Sequence, residues 1–375
     1  MVRDVLFGGD FVKGEDRVFS KRNDVTENNI LSLDESKIIS ITRVTAMVLI
    51  VLCHYVRWYS HISWIGQFFN VGVGIFFLIS GFLHGQKKIQ SVLEFYKRKL
   101  IKTLLPLYIY YVLAFIILSV FGRLGEIKPG MALCQLLSLR GFIDCGIGNI
   151  ETSHLWFITF ILMCYLITPI LQWLNNKFSN VQIILLIVFI SIVEILFIMN
   201  ISTGFMVWLP GVILYMAAYF AGSRWKRKFR IKNVIIFTLI TIACVIVRII
   251  TKIYADDFGG VIALIYDRIV VTYTHCILAV WIAGAIWLII DRIGVLSTNV
   301  MRGINILDKY SYYVYIVHQM FLAGVLSAAS ITTNMFINTL IFLLLTVMES
   351  ILIYTLNALA TKLGNNNKKH ILFNK

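Results

Sequence analysis

Residues Ile38 to Trp58, IISITRVTAMVLIVLCHYVRW, form an apolar stretch of the roughly 20 residues a helix needs to cross a bilayer. The stretch nevertheless carries Arg43 near one end and His54 near the other. An ionisable group inside a membrane helix costs roughly 2.5 kcal/mol or more, so two in one span need a reason. They stand eleven residues apart, about three turns, which sets both on one face about 16 Å apart along the axis. Taken singly, each has a plain reading. Arg43 can reach up to the lipid headgroups, and His54 can bond a neighbouring helix. Together on one face they point to the wall of a site that runs through the bilayer.

Nine further apolar stretches follow: Gln67–Gly85, Leu104–Gly122, His154–Leu174, Gln182–Asn200, Phe205–Gly222, Asn233–Ile250, Ile269–Ile290, Ser311–Ser330 and Met335–Leu359. With 59% hydrophobic and 14% charged residues and a mean hydropathy of +0.83, the expected class is an all-α polytopic membrane protein of about ten transmembrane helices. Residues 1–37 read as a polar tail, 38–358 as the membrane domain and 359–375 as a basic tail. The start has no apolar core that would mark a signal peptide.

The net charge of +15 is concentrated in short runs between spans, above all KKIQSVLEFYKRKLIK and SRWKRKFRIK. That is the pattern of cytoplasmic loops rather than of a nucleic-acid surface. It places both termini in the cytoplasm, Arg43 toward that side and His54 in the outer half of a cytoplasmic (inner or plasma) membrane. Six scattered cysteines without a CxxC pair give no zinc pattern, and no metal site is expected. Cys134 and Cys145 share an outer loop and are placed to bridge, unless the apolar run LCQLLSLRGFI folds back as a short helix and keeps Cys134 reduced.

Other ionisable residues inside spans are His275, Glu194, His318 and Glu349, each a functional candidate or one half of an internal pair. His154 and Trp156 stand at the outer edge, where a Trp serves readily as an anchor. Gly72, Gly74, Ser80 and Gly81 make the second span small-faced, a default sign of close helix packing. The motifs GxSxG and GxxxxGK[ST] are absent.

The order of these residues resembles the integral-membrane acyltransferase-3 family. The resemblance rests on Arg43, Ala46 and His54, then on Phe76, Phe77, Ser80, Gly81 and Phe82, then on a basic segment ending in Pro106 and Tyr108. It continues through HLWF (His154 to Phe157) with Tyr165 and Pro169, and ends at Ser311, Tyr315 and His318. One departure stands out: where the family often has two arginines three residues apart, this chain has Lys99 and Lys102, with Arg98 adjacent. Lysine meets phosphate as a point charge without the guanidinium fork.

The resemblance implies an O-acyltransferase that uses acyl-CoA, most often acetyl-CoA, as co-substrate, with no bound cofactor. The acceptor it implies is a hydroxyl of a cell-surface polysaccharide or its lipid-linked precursor. Arg43, Arg98, Lys99, Lys102 and Ser80 would then serve the donor, and His54 would be the general base, a task suited to imidazole. His154 and Trp156 would lie toward the acceptor, and His318 would support the donor. The alternative is a transporter or flippase of a lipid-linked sugar, which uses intramembrane charges but needs no acyl donor.

Overall fold

The structure is a computed structural model and describes residues 33–59, 63–123, 129–142, 150–200, 209–225, 231–293 and 296–373. Among these it is helical, with no strand. The chain runs through α1 (Leu33–Tyr59), the short α2 (Ser63–Phe68), α3 (Val71–Gly85), α4 (Val92–Val120) and α5 (Pro129–Leu136). A 3-10 turn (Ile150–Leu155) leads into α6 (Trp156–Lys177), followed by α7 (Asn180–Asn200) and α8 (Leu209–Ser223). Next come α9 (Ile231–Phe258), α10 (Gly260–Ile265), a π-helical turn (Tyr266–Val270) and α11 (Val271–Ile293). The last two helices are α12 (Thr298–Ala323) and α13 (Met335–Phe373).

Among the described residues, eight helical segments are long and apolar enough to cross a membrane. The other two expected spans coincide with α8, which has only 15 residues, and with α12, which is not among the eight. α12 has the length, at 26 residues, but Arg302, Asp308, Lys309, His318 and Gln319 dilute its apolar character.

Several expected boundaries move: α12 ends at Ala323 rather than Ser330, α13 runs to Phe373, through most of the expected basic tail 359–375, and three further shifts have a local reason. The third span begins at Val92 rather than near Leu104, because Ser91 caps the helix by accepting from the Glu94 amide at 3.4 Å. From Val92 on the basic segment is therefore helix, not loop, while Lys87 and Lys88 precede it. The ninth begins at Thr298 rather than Ser311, capped in the same way by Ser297. The expected loop 251–268 is helical save for a break at Gly259 and Gly260, whose φ of +60° and +55° suit glycine. A short helix, α5, covers only the first four residues of the apolar run 133–143 in the 123–153 loop, Cys134 among them. Cys145 lies outside the described residues, and with it the bridge expected from Cys134.

Packing is inside-out relative to a soluble protein: α7 and α9 turn long rows of Ile, Leu, Val and Phe outward, where lipid would lie. Without a hydrophobic drive between helices in lipid, association depends on close approach and polar contacts. The glycines expected to pack do so. A Cβ on Gly72 would stand 2.3 Å from the Ala46 carbonyl of α1, and one on Gly81 would stand 2.2 Å from the Tyr215 carbonyl of α8. α3 is thus clamped between α1 and α8. Around it lies an aromatic core that includes Phe77, Tyr110, Phe160, Tyr215, Tyr313 and Phe342. Pro106, inside α4, cannot donate to the preceding turn. The Tyr312 hydroxyl of α12 bonds the Thr103 carbonyl in that turn at 2.7 Å and ties the interrupted helix to its neighbour.

Candidate active site

Three histidines far apart in sequence meet in the bundle. His54 comes from α1, His154 from the 3-10 turn before α6 and His318 from α12. Their ring centroids are 4.7 Å apart for His154 and His318, 5.1 Å for His54 and His318, and 6.1 Å for His54 and His154. His154 and His318 are buried, at 2% and 0% exposure, whereas His54 keeps an open edge.

The two buried rings are fixed by backbone carbonyls, and this sets their protons. His154 Nε2 lies 3.0 Å from the Ile316 carbonyl. His318 Nδ1 lies 2.9 Å from the Tyr315 carbonyl and 3.2 Å from that of Val314. A carbonyl only accepts, so each of these nitrogens carries a hydrogen, and in the neutral ring the opposite nitrogen is the acceptor. The other nitrogens, His154 Nδ1 and His318 Nε2, have no hydrogen-bond partner among the described residues. Tyr315 completes the frame by donating its hydroxyl to the His154 carbonyl at 2.7 Å. Two fixed imidazoles with unused basic nitrogens therefore stand beside a third, more accessible one. Among the described residues no group of three or more His, Cys, Asp or Glu is arranged to hold a metal ion.

Trp156, the first residue of α6, packs edge-on against Phe157 and Phe160, with centroids 6.4 and 6.1 Å away. It braces the helix that carries the His154 turn.

At the other end of the α1 face, Arg43 Nη1 lies 2.7 and 2.8 Å from the two carboxylate oxygens of Asp308. The side chains are 17% and 7% exposed. The sequence placed Asp308 in a connector. The early start of α12 instead sets it against α1, ten residues before His318 on the same helix. The α1 and α12 pair therefore carries both the ion pair and two of the three histidines, in one register.

The three expected basic residues of α4 separate. Arg98 and Lys102 are exposed, while Lys99 is partly buried, its ammonium 5.4 Å from the Tyr165 ring centre and 5.7 Å from that of Phe95. Lys87, Arg98, Lys102 and Arg43 all lie close enough to act on its charge. The same two rings receive the edge of His84, at 5.4 and 5.7 Å. His84 Nδ1 pairs with the Tyr215 hydroxyl at 2.7 Å, and that hydroxyl with Thr168 at 2.6 Å. Sequence reasoning missed His84; the available signal was its position four residues after Ser80, one turn along the same face of α3. Ser80 itself is partly buried there.

The site thus has two parts joined along α1: a cationic, aromatic-walled end (Arg43, His84, Lys99) and a histidine centre roughly three helical turns away. A cationic end suits a polyanionic ligand, and neutral imidazoles suit proton transfer. A family model described as an acyltransferase domain matches residues 37–355. No curated protein and no solved structure matches the chain.

Proposed function

The chain belongs to the acyltransferase-3 family of membrane acyltransferases, and from that premise we propose that it O-acetylates a glycan, taking the acyl group from acetyl-CoA. The chain crosses the cytoplasmic membrane ten times in this reading, with both termini in the cytoplasm, and the basic runs support that orientation. The donor enters at the cationic end. Its phosphates meet Lys99, with Arg98 and Lys102 at the rim, and its pantetheine arm extends along α1 past Ser80 toward the histidines. Arg43 is held in place by Asp308 and lends the rest of its guanidinium to the donor.

The acceptor is a sugar hydroxyl of a cell-surface polysaccharide or of its lipid-linked precursor. His54 takes the hydroxyl proton as the oxygen attacks the thioester carbonyl. The C–S bond breaks, and the CoA thiolate leaves and is protonated from His54. His154 and His318, whose fixed tautomers leave a basic nitrogen on each, support His54 in its two protonation states. Trp156 stands toward the acceptor.

The observation that carries this reading is the meeting of His54, His154 and His318, with Arg43 on the same face of α1 as His54 about three turns away. Purified protein in lipid nanodiscs, given acetyl-CoA, should release free thiol only when a glycan or lipid-linked saccharide acceptor is added. Acceptor transport across vesicles without any use of acetyl-CoA would replace this reading with a transporter.

A further inference from the structure

α9 turns nearly all of its surface outward. Among its described side chains only Thr241, Arg248 and Ala255, spaced seven residues apart, are buried. The middle one is the helix's sole arginine, and at 1% exposure it is also the largest fully buried side chain among the described residues. An arginine on a lipid-facing helix would be expected to reach for the headgroups; this one is directed into the protein.

What it meets there does not neutralise it. The guanidinium carbon stands 3.9 Å from the centre of the Phe68 ring at the end of α2. Nη1 lies 3.1 Å from His275 Nε2. That ring nitrogen is also 2.8 Å from the Gln67 carbonyl, and a single nitrogen cannot both donate to the carbonyl and accept from the arginine. Nε and Nη2 have no hydrogen-bond partner among the described residues. Tyr266 favours the Arg248 charge through its side-chain hydroxyl, by a hydrogen bond as well as by charge, and Cys53 does so by charge alone; neither is a carboxylate. Lys252, one turn on, is paired with Asp256 and lies 6.0 Å from the Tyr266 ring centre. A second feature falls at the same place: Tyr266 opens the π-helical turn Tyr266–Val270, a form that concentrates at functional sites.

The pocket lies directly behind the histidine centre. Cys53 is close enough to act with Arg57 and Arg248, while His54, about 100° around α1, faces His154 and His318. We propose that Arg248, with Phe68, Tyr266 and His275, forms an anion-binding site between α9 and the π-turn, and that it holds the phosphate of a polyisoprenyl-phosphate-linked acceptor. A guanidinium whose Nε and Nη2 have no hydrogen-bond partner among the described residues suits phosphate, which it can meet bidentately, and the helix that carries it turns its outer face to lipid. The inference rests on the acceptor reading above and goes further by naming the part of the acceptor that is held and where.

The test uses the full chain in nanodiscs with a photoactivatable polyisoprenyl monophosphate, and with phosphatidylglycerol, the neutral polyisoprenol and inorganic phosphate as competitors. Label from the monophosphate should map to α9 and the 266–275 segment and resist the neutral alcohol. Arg248→Gln should weaken monophosphate binding at least tenfold, and Arg248→Lys should recover part of it. Wild-type label that maps elsewhere, or equal competition by the neutral alcohol, overturns the proposal without needing a folded variant. Equal competition by phosphatidylglycerol overturns the acceptor assignment in favour of an ordinary headgroup. Acetyl-CoA binding, measured in parallel, keeps the two readings apart. Donor use without label here defeats only this inference, and label here without any donor use defeats the acyltransferase reading.

Discussion

Removing the carboxylate of Asp308 tests whether the register of α1 against α12 is set by charge. Arg43 Nη1 lies 2.7 and 2.8 Å from the two Asp308 oxygens, with the side chains only 17% and 7% exposed. Solvent therefore screens the pair little. Charge-assisted hydrogen bonds contribute about 1.5–3 kcal/mol, and breaking a buried pair by deleting one partner costs about 3–5 kcal/mol, because the other charge is left alone. Since Arg43 keeps a small opening to solvent, Asp308→Asn is expected to cost about 3 kcal/mol, at the low end of that range. Arg43→Gln should cost a similar amount. The double variant should cost clearly less than the sum, leaving a coupling of about 1.5–3 kcal/mol. Reversible unfolding of the purified protein in mixed micelles, run on all four members of the cycle, measures this. A coupling below about 0.5 kcal/mol would equal that of an exposed surface pair and would refute the reasoning.

Among the basic residues of α4, Lys99→Ala should weaken acetyl-CoA binding by roughly tenfold or more, the scale of one charge-assisted contact. Arg98→Ala should stay within about twofold, since its charge is exposed and screened; calorimetric titration separates the two. Gly81→Ala forces a Cβ to 2.2 Å from the Tyr215 carbonyl and should cost about 1–3 kcal/mol by pushing α3 off α8. Gly303→Ala, where a Cβ meets nothing within 4 Å on α12, should stabilise by about 0.5–1 kcal/mol; thermal unfolding of both variants checks the contrast. Tyr315→Phe removes the donor to the buried His154 carbonyl and should cost about 1–3 kcal/mol. It should also lower turnover while donor affinity holds, as a positioning role requires.

Helices built on continuous apolar runs were legible because membrane crossing imposes length and hydrophobicity on the sequence itself. Each of the ten expected spans overlaps a helix among the described residues, and eight of these helical segments are long and apolar enough to cross on their own terms. Helix ends were less legible. Ser91 and Ser297 start their helices inside charged stretches that hydropathy treats as loop, and a cap is a local hydrogen bond with no hydropathy signature. In the site, Arg43 and His54 could be paired from spacing alone because both lie on one helix. His154 and His318 were visible as residues, but their meeting with His54 depends on how α12 and the 3-10 turn pack. Asp308 and His84 went unread for the same reason. Their partners Arg43 and Tyr215 lie 265 and 131 residues away, and one sequence carries no record of such contacts.

The most direct measurement of the central claim is transfer of radiolabel from acetyl-CoA to an acceptor glycan by purified wild type and His54→Ala, with acetyl-CoA binding measured on the same preparations. The account predicts donor-dependent labelling by the wild type. It predicts a loss of about 10²–10⁴-fold in the variant, the usual contribution of a general base, with donor affinity unchanged. Equal labelling by His54→Ala, with the protein folded and the donor bound, would contradict it.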